Sequence, residues 1–100
     1  MHIIARPILK NFCLIHEDAK DALDAWWSDV KFSDWSSWTD LKTQYPTASP
    51  VGNNRYVFNI KGNEYRLIVK INFLAKVIFI CFVGTHRDYD KVDARTVSYE

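Results

Sequence analysis

Three β-forming runs in the second half of the chain are joined so closely that only one arrangement is open to them. The runs are 55-RYVFNI-60, 64-EYRLIVKINF-73 and 76-KVIFICFVG-84, with Lys61-Gly62-Asn63 as the first connection and Leu74-Ala75 as the second. Parallel neighbours need a crossover of a dozen or more residues, so these three runs are antiparallel meander neighbours. Alternation along the middle run puts Tyr65, Leu67, Val69, Ile71 and Phe73 on one face and Arg66, Ile68, Lys70 and Asn72 on the other. The first face is core, and the second is wet and basic. The third run is apolar on both sides from Val77 to Val83, which places it centrally in the sheet.

The first half reads as one strand followed by helices. His2-Ile3-Ile4-Ala5 is branched and short, and predicts a strand on the far side of the third meander strand or at an edge. Pro7 suits a first helical turn, after which Ile8, Leu9, Phe12, Cys13 and His16 recur at helical spacing until Glu17-Asp18 breaks the pattern. Asp18 is a good N-cap for a second helix whose stripe is Ala19, Ala22, Leu23, Trp26, Trp27 and Val30, with Lys20, Asp21, Asp24 and Asp29 opposite. Ser37 and Asp40 resemble a capping box for a third, short helix carrying Trp38, Leu41 and Tyr45 and stopped by Pro46. Residues 47–54 are rich in turn formers. The helices are expected to cover one face of the sheet and leave the other for a ligand.

One hundred residues can support one core, so residues 1–100 are expected to form a single domain. With 48% apolar residues and only 3 Gly and 3 Pro, the chain is neither disordered nor linker-rich. The longest apolar stretch, Val77 to Val83, is far below the ~20 residues of a membrane helix, and the start of the chain lacks the apolar run of a signal peptide, so a cytoplasmic protein is expected. Cys13 and Cys81 sit among apolar neighbours and read as buried free thiols.

Charge is divided unevenly. Residues 51–87 hold six cations against the single acid Glu64, a net +5, while residues 1–50 and 88–100 each sum to −2. A basic sheet inside a nearly neutral protein suggests a polyanion, with RNA as the expected one. Cutting RNA without a metal needs a group to take the ribose 2′-OH proton, cations for the phosphorane-like transition state and an acid for the 5′-oxygen. Arg66 on the middle strand, Lys61 in the adjacent turn, and His86 and Tyr89 beyond the neighbouring strand are residue types that fill these roles, and the meander can bring all four to one end of the basic face. Arginine stays ionised and grips phosphate bidentately, histidine exchanges protons near neutrality, and tyrosine donates a proton or stacks on a base. Plainer readings stand beside these: Arg66 and Lys70 as a solvated face, Asp88 and Asp90 as turn residues or as groups that orient His86, and Tyr89 as core cover. The four Trp residues belong to the helical half and read mainly as packing. His2 and His16 have no companion ligand set, so no metal site is assigned.

The runs 55-RYVFNIKGNEYRL-67 and 82-FVGTHRDYDKVDA-94, with 41-LKTQYPTAS-49, resemble the HigB family of type II toxin–antitoxin toxins, a branch of the RelE/ParE superfamily. The similarity extends over nearly the whole chain, and its Asn-Ile-Lys-Gly-Asn-x-x-Arg-Leu and Gly-Thr-His-x-x-Tyr-Asp motifs stand in the family's order and separation. The resemblance implies an α+β, RelE-like toxin fold: an N-terminal strand and helical hairpin packed on a twisted antiparallel sheet. It implies a metal-independent endoribonuclease, without a cofactor, that cleaves mRNA on translating ribosomes. It also implies a HigA-type helix-turn-helix antitoxin as partner, with DNA reached only indirectly through the toxin–antitoxin complex and no membrane involved. The matching positions are Lys61, Arg66, His86 and Tyr89 for catalysis, with Arg55, Asn63, Lys70 and Arg87 as RNA or ribosome contacts. The ParE branch shares the fold and poisons DNA gyrase, so a non-enzymatic inhibitor is the alternative, and a plain RNA-binding module is a third. The His-x-x-Tyr motif favours the nuclease.

Overall fold

The computed structural model describes residues 1–4 and 6–98. Its sheet contains, in chain order, β1 (His2–Ile4), β2 (Ser49–Gly52), β3 (Arg55–Ile60), β4 (Tyr65–Asn72) and β5 (Val77–Thr85), arranged in space as β1-β5-β4-β3-β2. The three-strand meander forms as its short connections require, with Phe58 opposite Leu67 and Lys70 opposite Phe79. β5 is an inner strand, and β1 pairs along its outer side; Ala5, which the sequence places in that first strand, lies outside the described residues. Because β1 runs parallel to β5, the sheet is mixed where an antiparallel one was expected. No short hairpin joins these two strands, so nothing local dictates their relative direction.

The turn-rich stretch before β3 also holds more order than its composition suggests. Ser49–Gly52 forms an edge strand antiparallel to β3, with Pro50 at an edge where its missing N–H is tolerated. Gly52, Asn53 and Asn54 then reverse the chain at φ of 95°, 54° and 61°, a conformation that Gly and Asn accept more readily than other residues.

The helices are α1 (Arg6–Ile15), α2 (Lys20–Lys31), α3 (Trp38–Gln44) and α4 (His86–Tyr89), with a single 3₁₀ turn, Glu17–Ala19, between the first two. Helical spacing predicts their buried stripes: Ile8 and Leu9 from α1 and Leu23, Trp26 and Val30 from α2 are in the core. The expected N-cap role of Asp18 is not taken up. Ala19 occupies the cap position, and no side chain caps the helix. The expected box at α3 does not form: Ser37 sits at the N-cap without a capping bond, and the Asp40 carboxylate accepts instead from the Ser36 N–H, one residue before the cap, at 2.8 Å.

Apolar packing converges on Phe58 of β3. Trp26 from α2 and Tyr45 after α3 meet its ring edge-on at centroid distances of 5.4 and 5.2 Å, and Trp35 stacks on it at 6.3 Å. On the opposite sheet face Val57, Ile68 and Cys81 form a second buried cluster, roofed by Tyr89, Val92, Ala94 and Val97. Among the described residues that face is therefore covered at its centre by the segment following β5, and open towards its two ends. Cys81 is buried there, while Cys13 is half-buried on α1; both are free thiols. No helix among the described residues is long and apolar enough to cross a membrane. Since Phe58 is 1% exposed and three rings rest on it, Phe58→Ala is expected to destabilise the protein by about 3–5 kcal/mol, read as a lower urea midpoint at unchanged slope.

Candidate active site

Strand register assembles one end of the sheet from two separated stretches of sequence. The turn after β3 uses Lys61 and Gly62 at φ of 53° and 66° and closes with the Glu64 N–H donating to the Lys61 carbonyl at 3.3 Å. Left-handed backbone is expected of Gly62 but strained for a lysine. Tyr65 lies opposite Thr85 and Arg66 opposite Gly84, and the His86 N–H donates to the Glu64 carbonyl at 3.2 Å. The two motifs thus become neighbours, bringing Lys61, Asn63, Arg66, His86, Arg87 and Tyr89 to a common end.

Local chemistry explains the turn from β5 into α4. Thr85 caps α4, its Oγ1 accepting from the Asp88 N–H at 3.2 Å. At Gly84 a Cβ would fall 2.6 Å from Cζ of Phe82 and 3.3 Å from Cβ of Asp88, so glycine lets α4 fold tightly back over the strand. This delivers the Tyr89 ring to Arg66, whose guanidinium carbon sits 5.8 Å from the ring centroid. The same guanidinium donates to the Asn63 carbonyl at 3.3 Å and makes no carboxylate ion pair among the described residues. His86 is half-exposed, with Nδ1 3.5 Å from the Asp90 carboxylate, which leaves Nε2 without a partner among the described residues. Asp90 is thus the acid beside His86, whereas the backbone of Asp88 belongs to the cap.

Lys61 is held differently. Its ammonium lies 2.8 Å from Asp18 and 3.6 Å from Glu64. The hydrogen bond to Asp18, chiefly, holds the ammonium above its ordinary pKa, so Lys61 is a fixed cation rather than a proton acceptor near neutrality. Asp18 in turn accepts from the Tyr65 hydroxyl at 2.6 Å, and its carboxyl is held below the usual range by Lys61 first and Tyr65 second. Tyr65 is gripped by Phe12 and His16 at centroid distances of 5.4 and 5.5 Å. The joint of the helical hairpin therefore anchors both the turn and the first residue of β4. Sequence reasoning missed this role of Asp18, because nothing in a pattern signals bonds to residues 43 and 47 positions away.

The remaining candidates divide. Asn63 belongs to the turn and supports Arg66 through its carbonyl, and Arg87 is exposed on α4. Lys70 is exposed on the same face as Arg66, four residues along β4 and hence about 13 Å away. Arg55 does not present its guanidinium as the sequence suggests. It is 7% exposed, donating to the Val97 carbonyl at 3.2 Å and the Asn53 carbonyl at 3.3 Å, so it braces the covering segment from below. The Trp residues pack: Trp26 and Trp35 are buried, and Trp38 stacks on Tyr56 at 5.4 Å.

A depressed carboxyl contributes stability above its unfolded pKa and loses it as pH falls through the folded value. Replacing Asp18 with Asn keeps an acceptor for Tyr65 but removes the charge that meets Lys61. Urea midpoints of the natural protein and Asp18→Asn should differ near neutral pH and converge below the ordinary carboxyl range; a gap that ignores pH would show that the charge does not hold this joint.

Comparison with known proteins places this arrangement in context. The chain is 29% identical over 94 residues to the mRNA interferase HigB of Escherichia coli O6:H1, covering 92% of this chain and 91% of the relative. It is 28% identical over 92 residues to the mRNA interferase toxin HigB of Escherichia coli K12 and to the mRNA interferase HigB of Shigella flexneri, covering 90% of this chain and 88% of each relative. Residues 19–92, from the hairpin joint through both motifs to just beyond α4, match the HigB toxin family, described as the RelE-like toxic component of a toxin–antitoxin system. The chain belongs to the HigB toxin family.

Proposed function

We propose that this toxin is an endoribonuclease that cuts mRNA on the translating ribosome and is held in check by a helix-turn-helix antitoxin of the HigA type. The observation that carries the reading is Arg66: a guanidinium on the rim of a basic sheet, set against Tyr89 and without a carboxylate partner among the described residues, one rung from the strand end that holds His86. The names of the curated relatives, mRNA interferase HigB, agree with it.

In the reaction His86 takes the proton of the ribose 2′-hydroxyl through its free nitrogen. The 2′-oxygen attacks the adjacent phosphorus, and the bond from phosphorus to the 5′-oxygen breaks, leaving a cyclic phosphate and a 5′-hydroxyl that takes its proton from Tyr89. Charge accumulates on the non-bridging oxygens, where Arg66 supplies two parallel donors. Lys61 adds a second cation at the turn, its effect reduced by the two acids beside it. Asp90 keeps Nδ1 of His86 oriented and so directs the other nitrogen outward. None of the named roles requires a bound group beyond the RNA itself.

Primer extension on a defined mRNA in a translating extract tests the reading. Cuts should require ribosomes, and should fall by about 10²–10³-fold for Arg66→Ala and by about 10²–10⁴-fold for His86→Ala. Both side chains are exposed or half-exposed, so urea midpoints should move little. Growth arrest without any cuts would refute mRNA cleavage and direct the next assay to DNA gyrase.

A further inference from the structure

On the sheet face that carries Arg66, but at its other end, two adjoining hollows of about 430 and 310 Å³ share two residues, Lys70 and Phe79. Strand register sets Lys70 opposite Phe79 and Phe79 opposite Ile4, so a cation, an aromatic ring and a branched aliphatic side chain form a row across three strands. Phe79 is 42% exposed and Ile4 38% exposed, although both lie within strands rather than loops. Among the described residues no carboxylate lines either hollow; the polar lining is Asn54, Asn72 and Ser98 with the buried Arg55 at its floor. Lys70 makes no ion pair among the described residues.

An exposed ring beside a cation that has no acid near it among the described residues, with amides and a hydroxyl around it, has the composition of a platform for single-stranded nucleic acid. A base stacks on the ring, and the ammonium meets the backbone. Of the apolar lining, Ile71, Ile80 and Cys81 are buried and Phe73 is half-buried, so Phe79 and Ile4 are the exposed part, well short of the apolar centre that a stable protein interface needs. Arg66 and Lys70 project from the same face of one strand about 13 Å apart, a separation that a few nucleotides of extended strand can span.

We propose that Phe79 and Lys70 form a nucleotide subsite for single-stranded RNA, separate from the cutting centre, in which a base stacks on Phe79 and a phosphate meets Lys70. The proposal rests on the RNA-cutting reading above. The subsite acts as a positioning device, because a base held at Phe79 determines which phosphate along the strand falls beside Arg66. Its loss should weaken substrate binding and spread the cut positions, while the chemistry at a correctly placed phosphate continues.

The test uses the full chain with uncleavable 2′-O-methyl RNA strands, one long enough only for the Arg66 end and one long enough to reach Phe79. Binding is followed by fluorescence anisotropy, and cleavage in a translating extract is measured in parallel. The natural protein should bind the longer strand about tenfold more tightly than the shorter one, the effect of one stacked base. Phe79→Ala should erase that gain, Phe79→Trp should keep it, and Lys70→Gln should reduce it and flatten its salt dependence. If the natural protein cuts mRNA but shows no length gain, or Phe79→Ala retains the gain, the subsite is wrong and the nuclease reading stands. If it neither binds nor cuts RNA, both fall together. Intact RNA binding by Phe79→Ala with loss of antitoxin binding would reassign the patch to a protein partner and overturn the proposal.

Discussion

Phe58 joins the two halves of the chain. Trp26, Trp35 and Tyr45 reach it from α2, from the loop after α2 and from the end of α3, so one strand residue sets where α2 and the end of α3 sit. That docking carries the hairpin joint to the sheet end, where Asp18 meets Lys61 and Tyr65 and where Phe12 and His16 enclose the tyrosine ring. The polar contacts are short but partly solvated, and could not locate the hairpin against the entropy of ordering it. Burial of large rings supplies that free energy, and the carboxylate then fine-tunes the position of a turn.

The cations of the site are not equivalent. Lys61 stands between two acids in a left-handed turn, which makes it a fixed but largely neutralised part of the scaffold. Arg66 has only a carbonyl and an aromatic face as partners, neither of which cancels its charge, so its field is available to an incoming anion. Desolvating Arg66 against Tyr89 also limits its motion, so less order must be imposed when a phosphate arrives. A net charge near zero for the chain as a whole conceals this local imbalance.

The legible parts of the molecule were those governed by local periodicity. Short connections forced the meander, alternation separated Leu67 and Val69 from Arg66 and Lys70, and helical spacing picked out Leu23, Trp26 and Val30. Long-range choices left no such trace. The parallel direction of β1, the short strand Ser49–Gly52 and the segment that roofs Val57, Ile68 and Cys81 each depend on tertiary pairing or burial rather than on spacing. The candidate site divides in the same way. The grouping of Lys61, Arg66, His86 and Tyr89 follows from meander register, whereas the burial of Arg55 under the Val97 carbonyl and the reach of Asp18 across the fold do not. Both residues have ordinary local explanations, an exposed cation on a strand and a helix cap, and in each the tertiary bond prevailed.

The pairing of β1 with β5 joins His2 to Val77, across the helices and the whole meander. Contacts at such separation form slowly, because a long loop must close before they give any return. During synthesis β1 waits without a partner until β5 has left the ribosome, and the sheet cannot close its outer side any sooner. A nascent chain that stops short of β5 lacks that closure and also lacks His86 and Tyr89. Closure of the outer side of the sheet therefore precedes the candidate site by only the turn into α4, and a chain interrupted before β5 has neither.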